Sequence, residues 1–447
     1  MTSLVAEPRT GRIPSEGLLS RRTKLIGTEN AFKIGPYLRL VEESGHRVIK
    51  CNLGEPDFPL PAHIRDEVKR QLDADLTHYC DPQGLLSLRE SIAREMGTRR
   101  GLRISPDRVV VFPGAKTPIG FCQEAYCDPG DEVIYPSPGF PIYESFTRYV
   151  GAHPVPYHLD EETGFDVSAR SLAKLITART KLIFLNSPSN PTGGVMGREQ
   201  LAEIAGVILS RCPPQVRVYS DEVYENILFD GATHASIASV PGMEERTIIV
   251  SGASKTYSWT GGRLGWAVFP TADEAQLFKN LNINYFSCVP PFNQMGVKLA
   301  IESPLSPPGI ARMVSAFQER RDVVVGALNR IDGVRCQKPL GAFYAFPNVA
   351  GACERLGVLE AYAAMPAKLK GRTTPSTLLQ LFLLFRHHVA TMDRKSFGTI
   401  GCEGKHYLRI SIATGLADLE EAMRRIATAL DDRAGFAAWI RAGDHLY

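Results

Sequence analysis

The stretch from Lys181 to Tyr219 constrains the fold more than any other. Leu182-Ile183-Phe184-Leu185 is a continuous apolar run, the pattern of a strand buried on both faces. A loop of Asn, Ser, Pro and Gly follows. Leu201, Ile204, Ala205, Ile208 and Leu209 then recur at the spacing of one helix face. Pro213-Pro214 stops that helix, and Val216 to Tyr219 reads as the next strand. Strand, helix and strand in this order form a right-handed crossover between neighbouring parallel strands. Such a sheet needs helices on both faces, so the expected class is α/β.

Other segments extend the pattern. Val109-Val110-Val111-Phe112 ends at Pro113-Gly114 and reads as a buried strand; Glu132 to Tyr135, Thr247 to Val250 and Leu264 to Phe269 add three more. Ile119, Cys122 and Ala125 mark one face of a helix over 115–126. From about Pro308 the character changes. A helix from Ile310 to Leu328 is followed by strand-like Gly341 to Phe346 and His406 to Ile412, then a final helix from Leu416 to Leu430. A length of 447 residues suits two or three domains. The expected division is a loose arm over 1–25, a large domain over 60–308 with a mostly parallel, seven-stranded-type sheet, and a smaller α+β domain built from 26–59 and 309–447.

Composition removes several classes. Hydrophobic residues are 44% and charged residues 22%, which supports a core and excludes disordered or fibrous chains. Fifty-one basic against 48 acidic residues leave +3, too balanced for nucleic acid or an anionic membrane. The nine cysteines form no Cys-x-x-Cys pair, so neither a disulfide framework nor a zinc cluster is expected, and the compartment is expected to be the cytoplasm. No leader is expected, because the first residues lack an apolar core and carry Glu7 and Glu16. The greasy run from Leu378 to Phe385 is far too short to span a membrane. His387-His388 are neighbours that point to different helix faces, so no metal is expected.

Open α/β sheets bind ligands beyond the carboxyl ends of their strands. Four strand exits carry polar groups. Gly114-Ala115-Lys116 opens a helix, where backbone N–H groups can face an anion. Asn190 stands before Pro191, which biases it to an extended backbone. Asp221 ends a strand, with Tyr224 three residues on. Lys255 lies among Ser251, Gly252, Ala253 and Ser254, with Arg263 eight residues later. Each alone fits an ordinary turn or a solvated side chain. Together at one sheet edge they suit a phosphorylated, aromatic, aldehyde-bearing cofactor, pyridoxal phosphate. Lys255 would form the Schiff base. Asp221 would pair with the ring nitrogen, and Asn190 and Tyr224 with the ring hydroxyl. Arg263, Ser254 and the backbone of Gly114, Ala115 and Lys116 would hold the phosphate. Phe140, in Pro138-Gly139-Phe140, would stack on the ring, and Phe140 and Asn190 would also border the substrate.

From about Leu53 to Leu430 the chain resembles the fold-type-I pyridoxal-phosphate aminotransferases of class I/II, nearest the bacterial aspartate aminotransferase subgroup. The resemblance rests on ordered pieces: Gly54-Glu55-Pro56-Asp57-Phe58, Tyr79 ahead of Leu88-Arg89, Gly114-Ala115-Lys116, Asp128 to Val133, Asn190-Pro191-Thr192-Gly193, Ser220 to Tyr224, Ser254 to Tyr257, Gly341 to Tyr344, and Leu408-Arg409-Ile410-Ser411. It implies that Arg409 grips the substrate α-carboxylate and that the backbone at Gly54 approaches the same group. It also implies that Tyr79 reaches the neighbouring subunit's cofactor phosphate, hence a homodimer with shared sites. The implied reaction moves an amino group between an L-amino acid and a 2-oxo acid, with Lys255 carrying the proton. Aspartate and 2-oxoglutarate are the family default, with aromatic or other neutral amino acids next. A lyase or oxidase on this scaffold would keep the same residues, whereas a non-catalytic regulator gives no reason for Arg409. The chain departs from the pattern at Gly262, where relatives have Trp before the arginine; at Gly252, where some carry a hydroxyl; at Thr391-Met392-Asp393, which replaces Val-Pro-Gly; and in extra length from Ala363 to Thr377.

Overall fold

The computed structural model describes residues 17, 19–27 and 29–443. Of the expected arm over 1–25, residues 1–16 and 18 lie outside the described residues, and Arg21–Lys24 form a short 3-10 helix. Twelve strands occur among the described residues: β1 (Ile49–Lys50), β2 (Val109–Phe112), β3 (Glu132–Ser137), β4 (His153–His158), β5 (Thr180–Asn186), β6 (Arg217–Asp221), β7 (Thr247–Gly252), β8 (Gly265–Val268), β9 (Tyr344–Ala345), β10 (Val389–Ala390), β11 (Met392–Asp393) and β12 (Leu408–Ser411).

Seven of them make one sheet in the order β2-β8-β7-β6-β5-β3-β4. β4, β3, β5, β6 and β7 pair in parallel, and β8 alone runs antiparallel to its neighbours β7 and β2. The crossover read from sequence is β5, the helix Arg198–Arg211, and β6. Residues of β5 alternate between two cores. Ile183 and Leu185 pack with Leu201, Ile204 and Ile208 of that helix, while Leu182 and Phe184 pack with Ile119 and Cys122 of the helix Thr117–Tyr126. Helices therefore cover both faces, and strands such as β2 and β5 can be apolar nearly throughout.

A second body of packing joins distant parts of the chain. Ile49 and Cys51 share one core with Phe317, Phe343, Leu383, Ile410 and Trp439. β9, β12 and β11 form an antiparallel sheet, and β1 pairs with β10 in parallel. Some boundaries differ from the sequence reading. The long helix starts at Ser306 rather than Ile310, because Pro307 and Pro308 sit in its first turn, where no N–H is needed. Within 341–346 only Tyr344 and Ala345 are strand, while Ala342 bonds to Ile227 in the large sheet's loops. Leu416–Asp431 is not the last helix. The Asp432 side chain accepts the Gly435 N–H and starts another, Arg433–Ala442, whose Phe436 and Trp439 are buried.

The sheet's register brings its carboxyl ends into line. Asn186 lies opposite Asp221, and Gly265 lies opposite both Gly252 and Phe112. Gly265 leaves room for the turn that leaves β2: a Cβ there would come 2.3 Å from the Ala115 nitrogen and 2.6 Å from the Gly114 carbonyl carbon. Both are backbone atoms and cannot swing aside. Gly265→Ala should therefore cost about 1–3 kcal/mol, seen as a lower melting temperature of the cofactor-free protein; an unchanged melting temperature would disprove the close approach.

Candidate active site

A cavity of about 550 Å³ opens at this edge of the sheet. It gathers Gly54, Ala115, Lys116, Phe140, Asn190, Asp221, Tyr224, Ser254, Lys255, Arg263 and Arg409. Two other residues singled out by sequence do not line it. Gly114 stands directly behind Arg263, and Tyr79 lies outside the cavity with 87% of its surface exposed.

Asp221 ends β6 with a buried side chain. Tyr143 donates a hydrogen bond of 2.6 Å to its Oδ2. Burial pushes the Asp221 carboxyl up to about 6, which the Tyr143 bond partly offsets. Asn186 shapes the neighbouring exit: its Nδ2 donates to the Asp221 carbonyl at 3.1 Å, and its Oδ1 accepts the Asn190 N–H at 2.9 Å.

Lys255 sits on the short helix Ala253–Thr256 that follows β7. Its Nζ donates to the Gly54 carbonyl at 2.6 Å and lies 6.0 Å from the Tyr224 ring centre. Burial, aided by the positive charge of Arg409, lowers its pKa to about 8, against an opposing pull from Glu29. An amine in that range exchanges its proton near neutral pH.

Arg263 and the turn after β2 make an anion cradle. Gly114 has φ +87°, and a Cβ there would meet Arg263 Nη2 at 2.4 Å, so only glycine admits the guanidinium. Arg263 Nη1 is held by the Thr260 carbonyl at 2.9 Å. The N-terminus of Thr117–Tyr126 adds its dipole at the same place. Trp259 packs over Gly262, where a Cβ would lie 2.4 Å from its ring.

Arg409, on β12, is only 5% exposed. Its Nη2 donates to the Asn52 carbonyl at 2.6 Å and its Nη1 to Asn190 Oδ1 at 3.1 Å. The guanidinium carbon lies 4.4 Å from the Tyr344 ring centre and 4.8 Å from that of Phe397. Its Nε has no hydrogen-bond partner, and no carboxylate pairs with it among the described residues. A buried, unneutralised guanidinium is a strong site for a planar carboxylate. Gly54 is glycine for space: a Cβ would lie 2.2 Å from the Tyr344 hydroxyl, which is bonded to the Tyr224 hydroxyl at 2.7 Å.

Tyr143, Asn186, Tyr344 and Glu29 belong to the site and were not singled out from sequence. Tyr143 stands three residues after Phe140, and Asn186 four before Asn190, so helix and loop spacing held a signal for both. At the substituted stretch, Met392 pairs with Arg409 in register and Asp393 accepts the Ser396 N–H. His388 stacks on His46 at 4.0 Å rather than joining His387. Glu222, Glu225 and His234 have metal-like spacing, but Arg100 ion-pairs with both acids and closes the cluster.

Residues 46–426 match the family model for aminotransferase class I and II. An aspartate aminotransferase of Rhizobium meliloti (strain 1021) is 33% identical over 421 residues, covering 92% of this chain and 95% of its own. The solved aspartate aminotransferase from Rhizobium meliloti superposes with a TM-score of 0.83 at 32% identity, covering 92% of this chain and 98% of its own. The aromatic aminotransferase from Pyrococcus horikoshii OT3 gives 0.77 at 33% identity, covering 89% and 100%.

The raised Asp221 carboxyl has a measurable consequence. Its folded value of about 6 lies above the ordinary 3.8, so the stability it contributes is present in acid and lost as pH rises through 6. Asp221→Asn should stabilise the cofactor-free protein at pH 8 by about 2–3 kcal/mol, with the gain shrinking below pH 6. Denaturation at pH 5 and pH 8 checks this.

Proposed function

The chain belongs to the class I and II aminotransferases, and on that footing we propose how this cavity performs amino-group transfer and with what cofactor. The protein is an aspartate-aminotransferase-like enzyme that moves an amino group between an L-amino acid and a 2-oxo acid. Our reading assigns the cavity to pyridoxal phosphate, and the residues fit that group. A buried carboxylate with no cationic hydrogen-bond partner among the described residues, Asp221, suits a protonated ring nitrogen. The Gly114–Arg263 cradle suits a phosphate, and the Lys255 amine suits an aldehyde. When bound, the cofactor supplies a carbonyl for the amino group and a ring that spreads negative charge.

The chain's own groups do the rest. Asp221 keeps the ring nitrogen protonated, and Tyr143 holds Asp221 in place. Asn190 and Tyr224 would hold the ring hydroxyl, Phe140 would cover the ring, and Ser254 would join Arg263 and the Gly114, Ala115 and Lys116 backbone at the phosphate. Arg409 binds the substrate α-carboxylate, with the Gly54 backbone beside it. Lys255 Nζ then takes the proton from the substrate Cα and returns it on the other side of the transfer. The single observation that carries this reading is Arg409: a buried guanidinium with no acidic partner among the described residues opens into the same cavity as Lys255 and Asp221.

Gly54 and Arg409 belong to the unit assigned to 26–59 and 309–447, and Lys255 to that of 60–308. Closure of the first on the second would exclude water and align the Cα–H bond. Tyr79, so exposed on its own chain, is assigned to the phosphate of a second subunit, which makes the working enzyme a homodimer. Nine free cysteines support a reducing, cytoplasmic setting, and no helix among the described residues is long and apolar enough to cross a membrane.

Incubation with single amino acids tests the reaction. Keto acid should accumulate only when a 2-oxo acid acceptor is present; steady release of ammonia or peroxide without one overturns transamination. Lys255→Ala should lower turnover by about 10³-fold or more and remove the absorbance of lysine-bound cofactor.

A further inference from the structure

Once the groups above have their tasks, one charged pair in the cavity has none. Glu29 enters from the segment ahead of the helix Asn30–Lys33, and Lys116 from the turn after β2. The Lys116 ammonium contacts Glu29 Oε1 directly. The Glu29 side chain is 18% exposed and that of Lys116 45%. The phosphate reading uses only the backbone at Lys116, so its side chain is free for another role. Glu29 lines the same cavity as Lys255, and its negative charge works against the lowering of that amine's pKa by burial.

The charges that remain for a substrate side chain are therefore Lys116, Glu29 and Glu55. Glu55 accepts from the Thr260 hydroxyl and pairs with no cation among the described residues. Among those residues the Lys116 ammonium is neutralised, and the balance is negative. The wall around the pair is apolar. Phe32 and Phe140 lie 5.7 and 5.6 Å from the ammonium, and Ile119 lines the same cavity. A dicarboxylic substrate would have to displace Glu29 from Lys116. It would leave a part-buried carboxylate unpaired and set a second one beside it, and both cost free energy. An aromatic side chain leaves the ion pair intact and buries its ring against Phe32 and Phe140.

Resting on the transaminase reading, we propose that Glu29 is a specificity-determining residue. By holding Lys116 it selects amino acids with uncharged aromatic side chains over dicarboxylic ones.

The test uses the cofactor-loaded dimer in single-turnover reactions with phenylalanine or aspartate alone, followed by cofactor absorbance. Wild-type protein should convert phenylalanine with a kcat/KM at least about tenfold above aspartate. Glu29→Gln releases Lys116, and the aspartate-to-phenylalanine ratio should rise about tenfold or more. Glu29→Asp keeps the charge and should shift the ratio less, which a purely structural role for Glu29 does not predict. A wild-type preference for aspartate, or reaction with both amino acids in a ratio that Glu29→Gln leaves unmoved, overturns this inference alone. No reaction with either amino acid overturns it together with the transaminase reading beneath it.

Discussion

The site depends on a carboxylate kept charged where water is nearly absent. Asp221 stands at the end of a strand whose Val218, Tyr219 and Ser220 are buried in the sheet. An isolated anion there would take up a proton. The Tyr143 hydroxyl and the Val223 N–H are what hold its pKa near 6 instead of higher. Tyr143 can do so because its ring stacks on Phe184 of the neighbouring strand, 4.6 Å between centres, and so cannot turn away. The packing of β5 thus reaches the chemistry through one phenol.

Around that carboxylate the cavity is laid out by charge. Arg263, Arg409 and Lys255 line the same cavity, and Lys255 is an amine ready to lose its proton. The cations come from separate bodies of packing. Lys255 and Arg263 are fixed to the seven-stranded sheet, and Arg409 to the antiparallel sheet of β9, β11 and β12. Only the long-range fold brings them together, and their shared positive charge makes the cavity attractive to anions.

The central fold was legible because its signals are local. The β5–helix–β6 crossover is written in consecutive apolar runs and one helical stripe; Asn190 comes soon after β5, Asp221 ends β6, and Lys255 comes soon after β7. Boundaries slipped where a residue has two uses, as with the prolines that open the helix at Ser306. The helix after Asp432 was lost because its single buried face, Phe436 and Trp439, is too short a pattern to stand out. Tyr143 is marked in the sequence only by its spacing from Phe140. Glu29 left no mark at all, since its partner Lys116 is 87 residues away and contact between them exists only once both bodies have folded.

The reversal of β8 has a consequence for how the site can change. Because β8 runs against β7, residues 253–264 form a loop pinned at both feet by the facing pair Gly252 and Gly265. Lys255 and Arg263 are the third residue from one foot and the second from the other. They are therefore mechanically one part. A change of length between them cannot retune the amine without also dragging the guanidinium, whereas Glu29 hangs on a separate tether. On the reading proposed above, variation in what this enzyme accepts is free to accumulate on that tether, while the loop that carries Lys255 and Arg263 stays at constant length.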